Sequence, residues 1–403
     1  MNSSIKELFI WSLNNGVQIR GLTIKDFPLS GRGVMTTRHI NKNDLIIKIA
    51  RRFLITFDTV LTSMKWCIRD ESNHGLTAKD LFLFFILVEK WKGKASKFRI
   101  YIESIPETYT TPSCIPESKA SLLPDFVSLE RNKQRAKIAG HFKRLTHFLT
   151  AYQSKMKEKR LNFDDVMWAW NVVNTRSVYL NPRNLTCSLD AFTKLSEVDF
   201  ALAPLLDMLN HESGAQVEAK FNTKSNHYEI RTFDSYEPKE QVFINYGSHG
   251  NRMLFFEYGF ILPNNIHAVC PISRHLFLIH FPMNSQCQDS ELLKIGISLE
   301  KMNCTREGYF NWAFINAAHI LFEQHSPDIR KLPSQCVGGR CKVYERVLNL
   351  IHDLEKFYDN HLSKLRNEQN GALRQVFYLL ENERNILYLA KEKWTTDCQI
   401  MLS

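Results

Sequence analysis

The chain has 403 residues, of which 44% are hydrophobic and 12% are aromatic. This content suffices to bury a substantial core, so composition argues against global disorder. No apolar run reaches the roughly 18–20 residues that a membrane-spanning helix needs, and the first residues lack the pattern of a signal peptide. A soluble protein of the cytoplasm or the nucleus is therefore the expectation.

The net charge of +10 is concentrated in one segment. Residues 131–160 contain ten Lys or Arg residues and a single acid, Glu158. Such a cluster is usually solvated surface, but it also suits an acidic partner such as nucleic acid.

The nine cysteines favour reduced thiols, because their number is odd and no secretion signal is present. Cys336 and Cys341 stand close enough for half of a zinc site, but no second pair lies nearby in the sequence. No metal site is therefore predicted.

The first part of the chain predicts a helix followed by strands. A helix over residues 1–16 is indicated by apolar residues at helical spacing, Ile5, Phe9 and Leu13. Residues 17–27 and 33–56 then carry strand-like patterns. Between them lies Gly31-Arg32-Gly33, which allows either a tight turn or a close approach to a ligand.

Residues 59–165 are predicted to form a helical insertion. Thr77 is a suitable N-cap for an apolar helix that ends at Gly93. A later helix repeats its apolar residues at intervals of four and three, namely Ile138, Phe142, Leu145, Leu149, Tyr152 and Met156. Lysines and arginines are expected on the opposite face of that helix.

The stretch from Ala203 to Gly247 combines apolar runs with polar residues at their ends. The sequences AQVEAKF and HYEIRTF alternate between apolar and polar residues, which predicts two half-buried strands joined by a turn. Asn210-His211 follows a buried run, and Tyr246 follows the strand-like QVFIN. Polar side chains at such ends favour a functional site.

The chain beyond residue 263 predicts helices. Apolar residues recur at intervals of four and three on both sides of a break at Asn370-Gly371. This pattern is typical of an antiparallel helical hairpin.

Motifs for phosphate loops, nucleophile elbows and zinc helices are absent from the sequence. What remains is an ordered set: Gly31-Arg32-Gly33, Asn174-Thr175-Arg176, Asp207 with Asn210-His211, Tyr246-Gly247 and Tyr258-Gly259-Phe260. In this order the motifs resemble those of SET-domain protein methyltransferases of the Rubisco large-subunit lysine methyltransferase-like class.

The resemblance implies an α+β fold: a split, knot-like SET domain with small sheets over residues 17–262, interrupted by the helical insertion. It also implies an all-α, Rubisco-substrate-binding-type domain over residues 263–403.

The resemblance also implies roles for individual residues. S-adenosylmethionine would be bound by Gly31, Arg32, Gly33, Arg176, Asn210, His211 and Tyr246. Tyr246 would also be the catalytic residue beside the transferring methyl group. Tyr258 and Phe260 would form the aromatic wall of the substrate channel, and Asp207 would lie beside it, mainly as a support for the Asn-His turn. Arg176 suits the cofactor carboxylate, because a guanidinium can bind it with two hydrogen bonds.

The implied activity is methylation of a protein lysine, on a histone or a non-histone target, without a metal. Two alternatives stay open at this stage. The acceptor could be a protein histidine, or the chain could be an inactive SET scaffold that binds chromatin or RNA through residues 131–160.

Overall fold

The computed structural model describes residues 3–28, 30–65, 75–151, 160–185, 198–283, 287–323 and 341–402. The chain forms two compact units. The first contains Met1–Ile115, Ser128–Ser248 and Phe256–Gly259, and the second contains Pro116–Val127, His249–Phe255 and Phe260–Ser403. Within the described ranges, no helix is both long and apolar enough to cross a membrane.

The described residues of the first unit form two four-stranded sheets and one strand pair. Its strands are β1 (Val17–Ile19), β2 (Leu22–Phe27), β3 (Gly31–Thr36), β4 (Leu45–Ala50), β5 (Ser177–Tyr179), β6 (Phe200–Leu202), β7 (Asn210–His211), β8 (Val217–Asn222), β9 (His227–Thr232) and β10 (Gln241–Ile244). The sheet orders are β1-β4-β9-β8 and β2-β3-β10-β7, and β5 pairs with β6. The predicted α+β class with small sheets is confirmed.

The first unit also contains helices, and helices make up most of the described residues of the second unit. Those before residue 180 are α1 (Ser3–Asn14), α2 (Phe57–Met64), α3 (Ala78–Lys92), α4 (Arg99–Ser104), α5 (Asp125–Ala151) and α6 (Phe163–Arg176). Those after residue 250 are α7 (Asn251–Met253), α8 (Arg274–His280), α9 (Cys287–Lys294), α10 (Trp312–Glu323), α11 (Cys341–Leu365) and α12 (Gly371–Leu402). The second unit also has the strand pair β11 (Val269–Pro271) and β12 (Asn303–Thr305).

The predicted hairpin of β8 and β9 is confirmed, with Val217 opposite Thr232 and Asn222 opposite His227. The Asn222 side chain accepts hydrogen bonds from the backbone of residues 224 and 225 in the turn. Asn226 has a φ of +55°, which asparagine tolerates better than most residues.

Helix α3 begins and ends where the sequence predicted. The Thr77 hydroxyl accepts from the Asp80 amide at 3.1 Å, and the Asp80 carboxylate accepts from the Thr77 amide at 2.7 Å. This reciprocal pair satisfies two amides that the helix itself leaves free. Gly93, with a φ of +52°, ends the helix, and 11 of the 15 residues between the caps are buried.

Of the two predicted helix faces, that of α1 needs correction and that of α5 is confirmed where it is described. In α1, Leu8 and Ser12 are fully buried while Leu13 is 42% exposed, because the helix packs on a face shifted from the predicted one. In α5, Ile138 and Leu145 are buried as expected. The side chains of Tyr152 and Met156 lie outside the described residues.

The basic face of α5 is only partly a solvated surface. Arg131 is 1% exposed and donates from Nε to the carbonyl of Ile115 at 2.9 Å. Arg144 binds the buried Asp80 carboxylate through Nε at 2.7 Å and Nη2 at 3.1 Å. These arginines serve the core of the insertion, which a charge count along the sequence does not reveal.

The second unit contains the predicted antiparallel helical hairpin of α11 and α12. Lys391 binds Glu355, and Arg384 binds Asp359, so the two helices run in opposite directions. Cys336 and the side chain of Cys341 lie outside the described residues, so this pair keeps only its sequence-based interpretation.

Candidate active site

Strand β10 lies between the glycine-containing strand and the Asn-His strand. It pairs antiparallel with β3, which aligns Gln241 with Met35. It pairs parallel with β7, which aligns Phe243 with Asn210 and Ile244 with His211. Three predicted site segments that are far apart in sequence therefore meet on neighbouring strands.

Gly33 packs so closely against its neighbours that a Cβ would force the adjacent side chains to move. A Cβ on this residue would lie 2.3 Å from Oε1 of Gln241 and 2.8 Å from Nδ2 of Asn210. The Asn210 amide donates to that Gln241 oxygen at 2.8 Å and to the carbonyl of Arg32 at 3.1 Å. Gly31 to Gly33 thus begins strand β3 and lies against Asn210, so it is not a simple turn.

His211 is 4% exposed and faces the backbone that follows β10. Its Nδ1 accepts a hydrogen bond from the Tyr246 amide at 3.1 Å, which requires that Nδ1 carry no proton. The imidazole stacks on the Tyr246 ring with centroids 5.1 Å apart and an interplanar angle of 23°. His211 therefore fixes both the backbone and the ring of Tyr246.

The Tyr246 hydroxyl is held by a backbone carbonyl. It donates to the oxygen of Leu209 at 2.8 Å. Burial raises the pKa of Tyr246 well above its usual value, although the positive charge of Arg176 opposes the shift. The phenol therefore stays neutral, and its proton is directed to the carbonyl of Leu209.

Tyr258 lies next to Tyr246, with ring centroids 4.9 Å apart. It ends a π-helical turn, Leu254–Tyr258, a rare element that is frequent at functional sites. Side chains of the insertion and of α6 hold the carbonyls around it: Gln134 binds that of Phe256, Thr110 that of Gly259 and Asn174, in α6, that of Glu257. Tyr246 and Tyr258, which come from separate elements, therefore form an aromatic pair.

Arg176 and Asp207 form a buried ion pair. Nη1 of Arg176 lies 2.9 Å from Oδ2 of Asp207, and the side chains are 15% and 1% exposed. Burial disfavours the charge of Arg176, but the Asp207 carboxylate outweighs that effect and raises the pKa of the guanidinium. Asp207 therefore binds a predicted cofactor residue, which is a more specific role than supporting the Asn-His turn.

The backbone before Asp207 is strained. Leu205 has a φ of +76°, a conformation that a branched residue adopts only at a free-energy cost of about 1–3 kcal/mol. The turn that follows carries Asp207 and Leu209 to their partners. Strained backbone of this kind is common at functional sites.

A cavity of about 340 Å³ lies beside these residues. Its walls include Arg176, Asp207, Leu209, Tyr228, Tyr246 and Tyr258. The ion pair and the two aromatic rings thus face one cavity. Phe260 belongs to the second unit, so its place in the channel stays a prediction.

Helix α4 contributes contacts that sequence reasoning missed. The Tyr101 hydroxyl donates to Oδ2 of Asp207 at 3.0 Å, and the carbonyl of Ser104 accepts from Nη1 of Arg32 at 2.7 Å. Burial lowers the pKa of the Arg32 guanidinium, and the positive charge of Arg176 adds to this effect. No local pattern marks Tyr101, because its partner is 106 residues away.

Comparison with known proteins places these features in a family. Residues 31–247 match the model of the SET domain. SET domain-containing protein 4 of Homo sapiens is 33% identical over the whole of this chain and 91% of its own length. The Artemia parthenogenetica protein of that name is 32% identical over 75% of this chain and 72% of its own length. The chain therefore belongs to the SET-domain family, and the predicted class of SET-domain methyltransferase is confirmed.

Other similar proteins are more distant. Actin-histidine N-methyltransferase of Xenopus tropicalis is 27% identical over 65% of this chain and 44% of its own length. A crystal structure of the SET domain of LSMT bound to lysine and AdoHcy aligns with a TM-score of 0.62 at 15% identity. It covers 99% of this chain and 92% of that one. A structure of Rubisco LSMT bound to AdoMet gives a TM-score of 0.61. These likenesses support the fold.

Proposed function

We propose that this chain is an S-adenosylmethionine-dependent protein-lysine N-methyltransferase. The observation that carries the proposal is the placement of Tyr246 at the cavity. Its hydroxyl is anchored on Leu209, its ring packs between His211 and Tyr258, and it shares the cavity wall with the Arg176–Asp207 pair. Tyr246, Tyr258 and Arg176 thus line one cavity, in agreement with the roles that the resemblance to SET methyltransferases implies for them.

The residues present fit S-adenosylmethionine. Among the described residues, Nε of Arg176 and Oδ1 of Asp207 are buried and have no hydrogen-bond partner. Buried polar atoms rarely stay unpaired. One donor and one acceptor beside each other suit the amino-acid end of the cofactor, which carries a carboxylate and an ammonium.

In this proposal, Arg176 binds the carboxylate of the cofactor, and the Gly31–Gly33 segment with Asn210 and His211 holds the remainder. When bound, S-adenosylmethionine supplies a methyl group on a positively charged sulfur.

The cavity also suits a lysine side chain. A lysine amine with a pKa of about 10.4 must lose its proton to react, which costs roughly 4–5 kcal/mol at pH 7. The aromatic rings of Tyr246 and Tyr258 disfavour the ammonium by excluding water. The Tyr246 oxygen, whose proton is directed to Leu209, accepts an N–H of the amine and so orients its lone pair.

Protein histidine is the second candidate acceptor. The similarity to actin-histidine N-methyltransferase favours it. A neutral imidazole is already the main form at pH 7, so its methylation does not require the deprotonation that lysine needs. The two acceptors therefore predict different pH dependence.

The third hypothesis is an inactive scaffold that binds nucleic acid through residues 131–160, and two observations in the structure weaken this hypothesis. Arg131 and Arg144 are committed to internal contacts. Among the described residues of α5, Lys133, Lys137 and Lys143 are exposed and form a basic face. We keep this face as a proposed contact with nucleosomal DNA or RNA that would accompany catalysis, in the nucleus or the cytoplasm.

The deciding experiment is transfer of a labelled methyl group from S-adenosylmethionine to proteins of a cell lysate and to nucleosomes. Mass mapping of the product identifies the acceptor, and methyl-lysine is the expected result. For lysine, kcat/KM rises with pH between 7 and 9, whereas for histidine it levels off. Purified protein that binds the cofactor but modifies neither acceptor would contradict the proposal.

A further inference from the structure

Helix α4 contacts the site at two positions. Tyr101 is fully buried, and its hydroxyl donates to Asp207, while Ser104 accepts from Arg32 through its carbonyl. The Ser104 hydroxyl in turn donates to the carbonyl of Tyr101 at 2.6 Å. Helix α4 of the insertion therefore restrains two charged side chains next to the proposed cofactor site, Asp207 and Arg32.

The contact of Tyr101 has a specific consequence for Asp207. Tyr101 and Arg176 both donate to the same carboxylate oxygen, Oδ2, at 3.0 and 2.9 Å. A carboxylate normally rotates over a broad range about its last torsion. Hydrogen bonds from Tyr101 and Arg176 to Oδ2 fix that torsion of Asp207. The other carboxylate oxygen, Oδ1, therefore points in one direction, and the Arg176 side chain is held in one rotamer.

We propose that Tyr101 is a positioning residue for cofactor binding that acts through Asp207 on Arg176. The inference rests on the proposed function and adds a residue that touches neither the cofactor nor the acceptor. Burial, reinforced by the charge of Asp207, raises the pKa of Tyr101, so the hydroxyl remains a donor throughout the working range. Losing this donor frees the carboxylate to rotate and disorders the Arg176 guanidinium.

The chain contains a matched control in its second unit. Tyr358 is also buried, and its hydroxyl donates at 3.0 Å to Oε2 of Glu383. Glu383 is itself bound by Arg252 at 2.6 and 2.9 Å. The two tyrosines therefore have the same chemistry, a hydroxyl on a buried carboxylate that is paired with an arginine, but only Tyr101 belongs to the cavity network.

The test measures S-adenosylmethionine binding by calorimetry, together with kcat and KM, for wild type, Tyr101→Phe and Tyr358→Phe. For Tyr101→Phe we expect the Kd and KM for the cofactor to rise about tenfold. A rise of this size is expected because the variant loses one hydrogen bond to a charged group. At saturating cofactor, kcat stays within about threefold of wild type. Tyr358→Phe is expected to lower the melting temperature without changing the Kd.

Asp207→Asn completes the test, because it removes the charge through which Tyr101 is proposed to act. In that background Tyr101→Phe should change the Kd little. A full tenfold change there, or an unchanged Kd in the single variant, would overturn the inference.

Two further outcomes are informative. If both Tyr→Phe variants have a lower melting temperature but an unchanged Kd for the cofactor, the role of Tyr101 is structural and the inference is wrong. A wild-type protein that binds no S-adenosylmethionine would instead overturn the proposed function and the inference with it.

Discussion

The imidazole of His211 lies against the phenol ring of Tyr246, and its Nδ1 accepts a hydrogen bond from the backbone amide of that tyrosine at 3.1 Å. The parallel pairing of β7 with β10 sets this contact, because it aligns His211 with Ile244, two residues before Tyr246. A residue proposed to hold the cofactor thereby fixes the orientation of the proposed catalytic residue. In the proposed function, this contact couples cofactor binding to methyl transfer.

Replacing Tyr246 with Phe should separate chemistry from binding. The ring and its contacts with His211 and Tyr258 remain, but the oxygen that would orient the amine is lost. We expect methyl transfer to fall about 100-fold, the scale of a lost alignment in the active site. Cofactor affinity, measured by calorimetry, should stay within about threefold, and equal activity of variant and wild type would contradict the assignment.

Gly33→Ala should disrupt the contact between β3 and β7. The new Cβ would clash with Oε1 of Gln241 at 2.3 Å and with Nδ2 of Asn210 at 2.8 Å, so these side chains must move and the hydrogen bonds of Asn210 to Gln241 and Arg32 are expected to break. Overpacking of this kind costs about 1–3 kcal/mol, and we expect weaker cofactor binding with a lower melting temperature.

Gly140→Ala in helix α5 is the control for that substitution. The nearest atom to its Cβ would be Nη1 of Arg144 at 3.4 Å, an ordinary contact. Alanine in a helix interior is favoured over glycine by about 0.5–1 kcal/mol. Cofactor binding to Gly140→Ala should be unchanged, and an equal loss in both variants would show that the contact at Gly33 is not the cause.

Local signals predicted much of the fold and some of the site. The Thr77 cap, the β8–β9 hairpin and the α11–α12 hairpin follow from neighbouring residues, and the structure confirms them. The pairing of β7 with β10 was not predictable from pattern, because β7 is only two residues long. The contact of Tyr101 with Asp207 depends on chain folding over 106 residues, which no local propensity encodes.

Asp80 should make stability depend on pH in the acid range. Burial would raise the pKa of its carboxyl group, but hydrogen bonds from His141, Arg144 and Thr77 outweigh burial and lower the pKa to about 2. A depressed carboxyl pKa stabilises the folded state above about pH 4, and this contribution is lost as the pH falls toward 2. Because the side chain is 0% exposed, solvent screens these hydrogen bonds little. The lowered pKa then corresponds to about 2 kcal/mol of folding free energy.

Denaturation by urea between pH 2 and pH 6 tests this expectation. Asp80→Asn should be less stable than wild type above pH 4, and the two curves should converge near pH 2. Asp359→Asn, which breaks an exposed pair with Arg384, should cost at most about 1 kcal/mol. A constant difference between Asp80→Asn and wild type at all pH values would contradict the proposed titration.

The exposed lysines of α5 allow a separate test of nucleic-acid binding. Lys133, Lys137 and Lys143 are exposed, so replacing all three with Gln should leave the fold intact. Each lysine that contacts a phosphate releases about one counterion on binding. In a plot of the logarithm of the binding constant against the logarithm of the salt concentration, the slope should therefore become shallower by up to about three. Arg144→Gln removes a bond to Asp80 instead, so it should lower stability while the salt slope changes by about one at most. An unchanged slope in the triple variant at low salt would exclude this face as the contact and leave the basic residues of α5 with structural and solvating roles.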